Sequence, residues 1–439
     1  MIKSYDLANA RGKLVSEEDA IFCLDVIKDP KSANKLKYHA AKLLGTLGKD
    51  NAQYINEYST LISRIDYSLV RRELTSCIGR ARTEKSIDLL LQLLTDKDPK
   101  VVMQAMRGLL VFKDVSKVQK GLLQLKNHEN EMIKEIIQSE VISDNKKGKA
   151  AELSEIKVHE FLNNKVIKGD ARTILNEVPK NSIDLTFTSP PYYNARDYSF
   201  YDSYSSYLKF LETTFKRLHE ATKEGRFFVL NTSPVIVPRF SRSHSSKRYA
   251  IPFDIHAILT KIGWEFIDDI IWLKPEASVK NRNGGFFQHR TPLTYKPNSI
   301  TEYLMVYRKK TTKLIDWNLK QYSADIKNKS KVSGSYDSSN VWSVDPKFDK
   351  LHSAVFPEKL VEKVVQYYSF EGDLICDPFA GSGTVGLQSR TMNRNFLLIE
   401  IDETYIDRIK ERVGIKDTES ILTPLSFKKG LHDAQATRN

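Results

Sequence analysis

Asp373-Leu374-Ile375-Cys376-Asp377-Pro378-Phe379-Ala380-Gly381-Ser382-Gly383-Thr384-Val385-Gly386 carries a short apolar run into a glycine turn, and the reading of this stretch decides the fold. The Gly-x-Gly-x-x-Gly spacing from Gly381 to Gly386 suits a strand-to-helix turn, where missing side chains let a ligand approach and let the helix pack close. Taken alone, it equally fits a dinucleotide site or a ligand-free turn. A second stretch has the same design: Ile183-Asp184-Leu185-Thr186-Phe187 leads into Thr188-Ser189-Pro190-Pro191-Tyr192-Tyr193. Its paired prolines fix the backbone and aim carbonyl oxygens at one point, with a flat aromatic beside them. Between and around the two, apolar runs at Val166-Ile167, 226–230, 266–273, 303–307 and 396–399 alternate with helical stretches. That alternation predicts an α/β sheet with helices on both faces.

The two motifs, placed at the ends of two expected strands, resemble the amino-methyltransferases that use S-adenosylmethionine (SAM) to methylate an exocyclic base nitrogen. The proline motif at 188 precedes the glycine motif at 379, an order similar to the circularly permuted class β. The resemblance implies a Rossmann-like SAM-dependent methyltransferase sheet, and it implies a target-recognition region between the two motifs. Asn-, Ser-, Gly- and Lys-rich sequence from about 275 to 345 occupies that place and reads as an insertion on the sheet.

Implied roles follow residue by residue. Ser189, Pro190, Pro191 and Tyr192 form the catalytic loop: the Pro190 carbonyl and the Ser189 oxygen accept the two N–H bonds of the target amine. An amine conjugated into a ring is a poor nucleophile until its lone pair is localised, and fixed acceptors supply that help. Tyr192 would receive the base rotated out of the duplex, whereas Tyr193 reads as core. Serine at the first position resembles the cytosine-N4 enzymes, while adenine-N6 enzymes more often have Asp or Asn. On the cofactor side the resemblance assigns Asp170 to the adenine, Phe356 and Pro357 to a turn closing over the methionine end, and Asp377, Phe379, Gly381, Gly383 and Thr384 to the glycine loop. Glu400, ending the next strand, would accept from ribose hydroxyls. Ser353 stands where the family often has proline, and His352 reads as a capping or packing residue.

Net charge is +13 over 439 residues, which suits a polyanionic partner. Double-stranded DNA is the expected substrate, with Arg239, Arg242, Arg282, Gln288 and Arg290 as candidate DNA contacts on loops. The three cysteines, Cys23, Cys77 and Cys376, show neither metal spacing nor a disulfide framework, and none follows a proline. That pattern excludes the Pro-Cys nucleophile of ring-carbon cytosine methylation and points to a reducing cytoplasm with no metal. No run of about 18 apolar residues suggests a membrane span.

Upstream, residues 29–144 hold weakly self-similar helix pairs, including 37–44, 70–74, 89–94 and 101–110, with Asp98-Pro99 as a helix start. They resemble HEAT-type repeats, which bury their apolar faces only against neighbours. The polar run 143–149 is the expected boundary, giving an all-α HEAT-like domain at 1–150 and a methyltransferase domain at 151–439. The expected activity is site-specific N4-methylation of cytosine, with a cognate restriction endonuclease as a candidate partner. Adenine-N6 methylation, RNA amino-methylation and a scaffold with a vestigial SAM site are the rival readings.

Overall fold

The structure, a computed structural model, describes residues 5–142, 160–193, 201–237, 241, 243, 247–279, 291–293, 297–332, 334, 336–347, 356–415 and 420–436. The chain divides into two compact units, Met1–Lys149 and Ala150–Asn439. Among the described residues no helix is long and apolar enough to cross a membrane.

The first unit contains eight α-helices among its described residues, and the four segments quoted above lie on Asn34–Leu44, on Ser68–Ala81, on Ile87–Gln92 with its 3-10 continuation Leu93–Thr95, and on Pro99–Leu109 with its 3-10 continuation Leu110–Phe112. Asp98 caps the last of these, its side chain accepting from Lys100 N with Pro99 in the first turn. Ser68–Ala81 and Pro99–Leu109 approach closely through Gly79 and Gly108: a Cβ on Gly108 would lie 2.9 Å from the Gly79 Cα. Arg71, buried, binds Asp96 with two N–H bonds of 3.1 and 3.0 Å and also donates to the carbonyls of Ile65 and Asp66, so its charge is fully engaged. One difference from the expected all-α unit is a two-residue antiparallel ladder, β1 (Tyr5–Asp6) with β2 (Arg11–Gly12), too short for any sequence pattern to announce.

The second unit is built on a nine-stranded sheet. Its strands are β3 (Lys165–Lys168), β4 (Ile183–Thr188), β5 (Thr222–Thr232), β8 (Trp264–Leu273), β9 (Thr301–Lys309), β10 (Val341–Ser343), β11 (Leu374–Asp377), β12 (Asn395–Glu400) and β13 (Ile421–Leu422), while β6 (Val235–Val237) and β7 (Lys247–Tyr249) form a separate ladder. The order is β10-β8-β9-β5-β4-β11-β12-β3-β13. Only β9 runs against its neighbours; every other pairing in this sheet is parallel.

Central strands are apolar on both sides because helices cover both faces. On β12, Leu397 and Ile399 join the core under Ala171–Glu177, Tyr204–Ala221 and Pro424–Ala436, while Phe396 and Leu398 turn to the opposite face under Glu403–Val413. Cys23, Cys77 and Cys376 are all buried and unpaired with one another.

Two expectations overlap at 275–345, one setting the whole stretch off the sheet and one reading the apolar run 303–307 within it as a strand, and the first is corrected in part. The apolar run within it, Leu304-Met305-Val306-Tyr307, forms the buried centre of β9, hydrogen-bonded between β5 and β8, and Val341–Ser343 adds the edge strand β10. Both strands belong to the sheet although the sequence around them is rich in Asn, Lys and Gly.

Candidate active site

The chain leaves β4 toward β5 on one side and leaves β11 toward β12 on the other, so the strand order reverses between β4 and β11. Open α/β sheets bind ligands at that reversal, outside the carboxyl ends of the strands. A cavity of about 570 Å³ lies there, at the ends of β3, β4, β11 and β12.

Both motifs contribute to its wall. The Thr188 hydroxyl, at the end of β4, donates to Asp377 Oδ1 at 2.6 Å, tying the two loops across adjacent strands. The Phe379 N–H donates to the same oxygen at 3.1 Å, and among the described residues no donor binds Oδ2. Asp377 is 2% exposed. Burial pushes its carboxyl up to about 7, and the nearby Glu400 carboxylate adds to the rise.

Glu400 organises the glycine turn. Its Oε2 accepts from Gly381 N at 2.7 Å, and its Oε1 accepts from Ile401 and Asp402 N at 2.8 and 2.9 Å. Burial raises its pKa above the ordinary value despite these bonds, which oppose the rise. Gly381 and Gly383 both have positive φ, 49° and 76°, a conformation that would strain any other residue. Gly383 lies behind the cavity wall, where a Cβ would sit 3.0 Å from Ile409; Gly386 lets its helix pack on β12, a Cβ there meeting Leu398 at 2.6 Å.

Opposite, Ser189, Pro190, Pro191 and Tyr192 line the cavity, with Pro190 buried and the other three half-buried. Tyr193 turns into the core, edge-on to Tyr204 and Tyr249 at 5.2 and 4.9 Å. Phe356 reaches the cavity while stacking on Phe187 of β4 at 4.7 Å. Pro357 stands behind it as the cap of Glu358–Tyr368. Asp170 caps Ala171–Glu177 and also binds the Arg172 guanidinium with both oxygens, which holds its carboxyl below the ordinary range.

The structure thus gathers Asp170, Ser189, Pro190, Pro191, Tyr192, Phe356, Asp377, Phe379, Gly381, Thr384 and Glu400 around one space, with Pro357 and Gly383 just outside it. Arg239, Arg242, Arg282, Gln288, Arg290, His352 and Ser353 lie outside the described residues. Sequence reasoning missed Arg172, Tyr201, Phe210 and Tyr405, which also line the cavity. Two signals were available: Arg172 sits two residues past the acid at 170, and Ser206 and Phe210 recur at four-residue spacing just inside a helix capped by Ser203.

An open, mainly parallel sheet with its cavity at the strand reversal and acids at successive strand ends defines the class: an α/β protein that binds a nucleotide-like cofactor. The family model for the DNA methylases (N6_N4_Mtase) matches residues 183–411, more than half of the chain, and the chain belongs to that family. It is 31% identical over 271 residues to the type II beta methyltransferase M.BslI of Bacillus sp. (strain NEB-606), a match covering 58% of this chain and only 28% of that longer protein. It is 31% identical over 249 residues to the type II methyltransferase M.ScaI of Streptomyces caespitosus, covering 54% and 77%. The crystal structure of TTHA0409 from Thermus thermophilus, complexed with S-adenosyl-L-methionine, matches with a TM-score of 0.46 and 23% identity, over 59% of this chain and 97% of that one.

SAM is the cofactor this family implies, and the residues fit it. Asp377 offers a buried carboxylate oxygen with no donor among the described residues to a ligand that carries a positive charge, and Glu400 keeps lone pairs beyond its three N–H bonds for hydroxyl groups.

Proposed function

We propose that the chain is a site-specific DNA amino-methyltransferase that methylates the exocyclic N4 of cytosine in duplex DNA. The observation that supports this most is the Thr188–Asp377 hydrogen bond, because it holds a proline-stiffened acceptor loop and a cofactor-type glycine turn at the rim of one cavity. Bound SAM supplies an electrophilic methyl group. Everything else is the work of this chain's own residues.

The Pro190 carbonyl and the Ser189 oxygen accept the two amine N–H bonds and rotate the nitrogen lone pair out of conjugation. Tyr192 offers its ring face to the extruded base. Asp377 complements the cofactor's positive charge, and Glu400 takes ribose hydroxyls while keeping the glycine turn in shape. Asp170, Phe356, Phe379 and Thr384 complete the cofactor wall. No side chain becomes covalently attached, and the proton displaced from the nitrogen is lost to solvent, a peptide carbonyl being too weak a base to carry it.

Serine at position 189 favours cytosine over adenine. In the same proposal, loop arginines and Gln288 read the DNA, a restriction endonuclease is the cognate partner, the protein acts in the cytoplasm, and a HEAT-like repeat unit at 1–150 precedes the methyltransferase domain at 151–439.

The test is direct. Incubation with unmethylated bacterial genomic DNA and SAM, digestion to nucleosides and mass analysis should give N4-methylcytosine. N6-methyladenine would move the specificity to the family's other base, and 5-methylcytosine would overturn the mechanism. Ser189→Ala should lower kcat about 100-fold to 1,000-fold, the usual cost of removing one positioned donor or acceptor, with SAM affinity within about twofold.

A further inference from the structure

Two charged side chains behind Tyr192 take no part in the cofactor wall. Glu302, near the start of β9, is 9% exposed. Its Oε2 accepts from the Tyr192 hydroxyl at 3.4 Å, and its Oε1 is bonded by the Lys274 ammonium, which stands just past the end of β8. That ammonium also lies over the Trp272 ring, 4.6 Å from its centroid. A carboxylate at this depth needs its partner, since an unpaired buried charge costs several kcal/mol.

The backbone closes at the same point. Trp272 pairs with Glu302 and Leu273 with Thr301 across the β8–β9 ladder, and the Lys274 N–H donates to the Ile300 carbonyl at 2.8 Å. Asn298 then donates to the Glu276 carboxylate at 2.7 Å. Residues 272–276 and 298–302 therefore stand side by side as one narrow neck, and the tyrosine of the catalytic loop is attached to it by a phenol–carboxylate contact.

We propose that Glu302, held by Lys274, is a positioning residue: it fixes the Tyr192 ring against the joined ends of β8 and β9 and so sets the surface that receives the base. This rests on the base-receiving role given to Tyr192 above. The contact is long in the free protein, and hydrogen bonds of this kind tighten when the substrate complex forms. Closing it by a few tenths of an ångström makes a charge-assisted bond.

A double-mutant cycle tests it, using the full chain, unmethylated bacterial genomic DNA and tritiated SAM. Glu302→Ala and Tyr192→Phe should each lower kcat about tenfold, the worth of one hydrogen bond to a charged group, with KM for SAM unchanged within about twofold. The double variant should be no slower than the slower single. Losses that multiply would overturn the coupling. If Glu302→Ala does not fold, Glu302→Gln combined with Lys274→Met keeps an acceptor without a stranded charge. Tyr192→Phe should still cost about fivefold in that background, the worth of a neutral hydrogen bond, and no cost there would also overturn the proposal. Full methylation by Tyr192→Ala would instead defeat the reading of the catalytic loop itself.

Discussion

Strands β4 and β11 lie side by side, and buried carboxylates stand at both ends of the pair, but the two ends complete them differently. At the entry end, Asp184 and Asp373 meet the buried Arg226, which bonds Asp373 and donates to the Asp184 carbonyl at 3.0 Å. Lys223 binds both Asp184 oxygens at 2.9 Å, and the Tyr322 hydroxyl donates to Asp373 at 2.6 Å. At the exit end, Asp377 and Glu400 are also buried, yet their donors are backbone N–H groups and one hydroxyl; among the described residues no lysine or arginine pairs with either. Within one sheet, the acids at one end are complete with cations that hold the fold, and those at the cavity end have no cation among the described residues.

The contrast can be broken most forcefully at Arg226. Arg226→Ala leaves two carboxylates facing each other in the interior, and it should cost about 3–5 kcal/mol in denaturant unfolding, while the folded fraction binds SAM normally. Equal losses of stability and SAM affinity would show that the two ends are not separate. Next, Glu400→Ala removes the acceptor for three N–H groups of the glycine turn. SAM affinity, read by calorimetry, should fall about 30-fold to 100-fold, in line with 2–3 kcal/mol for bonds to a charged group.

A smaller effect sharpens the assignment of Asp377. Burial raises its carboxyl to about 7, so in the free protein the ionised form is disfavoured, and stability declines as pH rises from the unfolded value near 3.8 toward 7. A bound cation reverses that preference. SAM should therefore bind about tenfold more tightly at about pH 8 than at about pH 6, releasing a proton; Asp377→Asn should flatten the profile. The smallest change is expected at Lys223, a partly exposed partner of Asp184. Lys223→Met should cost about 1 kcal/mol or less, because Arg226 remains.

Much of this was legible from local pattern. Seven apolar runs located seven strands of the large sheet, and the glycine and proline motifs located both walls of the cavity, because turn chemistry and strand periodicity are written in adjacent residues. The edge strands Val341–Ser343 and Ile421–Leu422 were not legible, since two or three residues acquire strand identity only from the partner they pair with. Arg172 and Phe210 come to the cavity from different helices and meet there, the guanidinium 5.2 Å from the ring centroid. Nothing in their neighbours' sequence records that meeting. The two ends of β4 and β11 show the same limit. Asp184, Asp373 and Asp377 are alike as letters, and only the fold shows that Arg226, 147 residues before Asp373, reaches two of them and not the third.

The sealed thiols give the chain a practical property. Cys23, Cys77 and Cys376 are all enclosed, and burial pushes the Cys77 thiol up to about 12 and the Cys376 thiol well above its usual range. Thiolate is the reactive form, so the native protein should be nearly silent toward maleimide dyes. A single cysteine introduced at an exposed position, such as Ser299 beside the neck, would then carry the only label, and its fluorescence would report DNA engagement against a dark background without first stripping any natural residue.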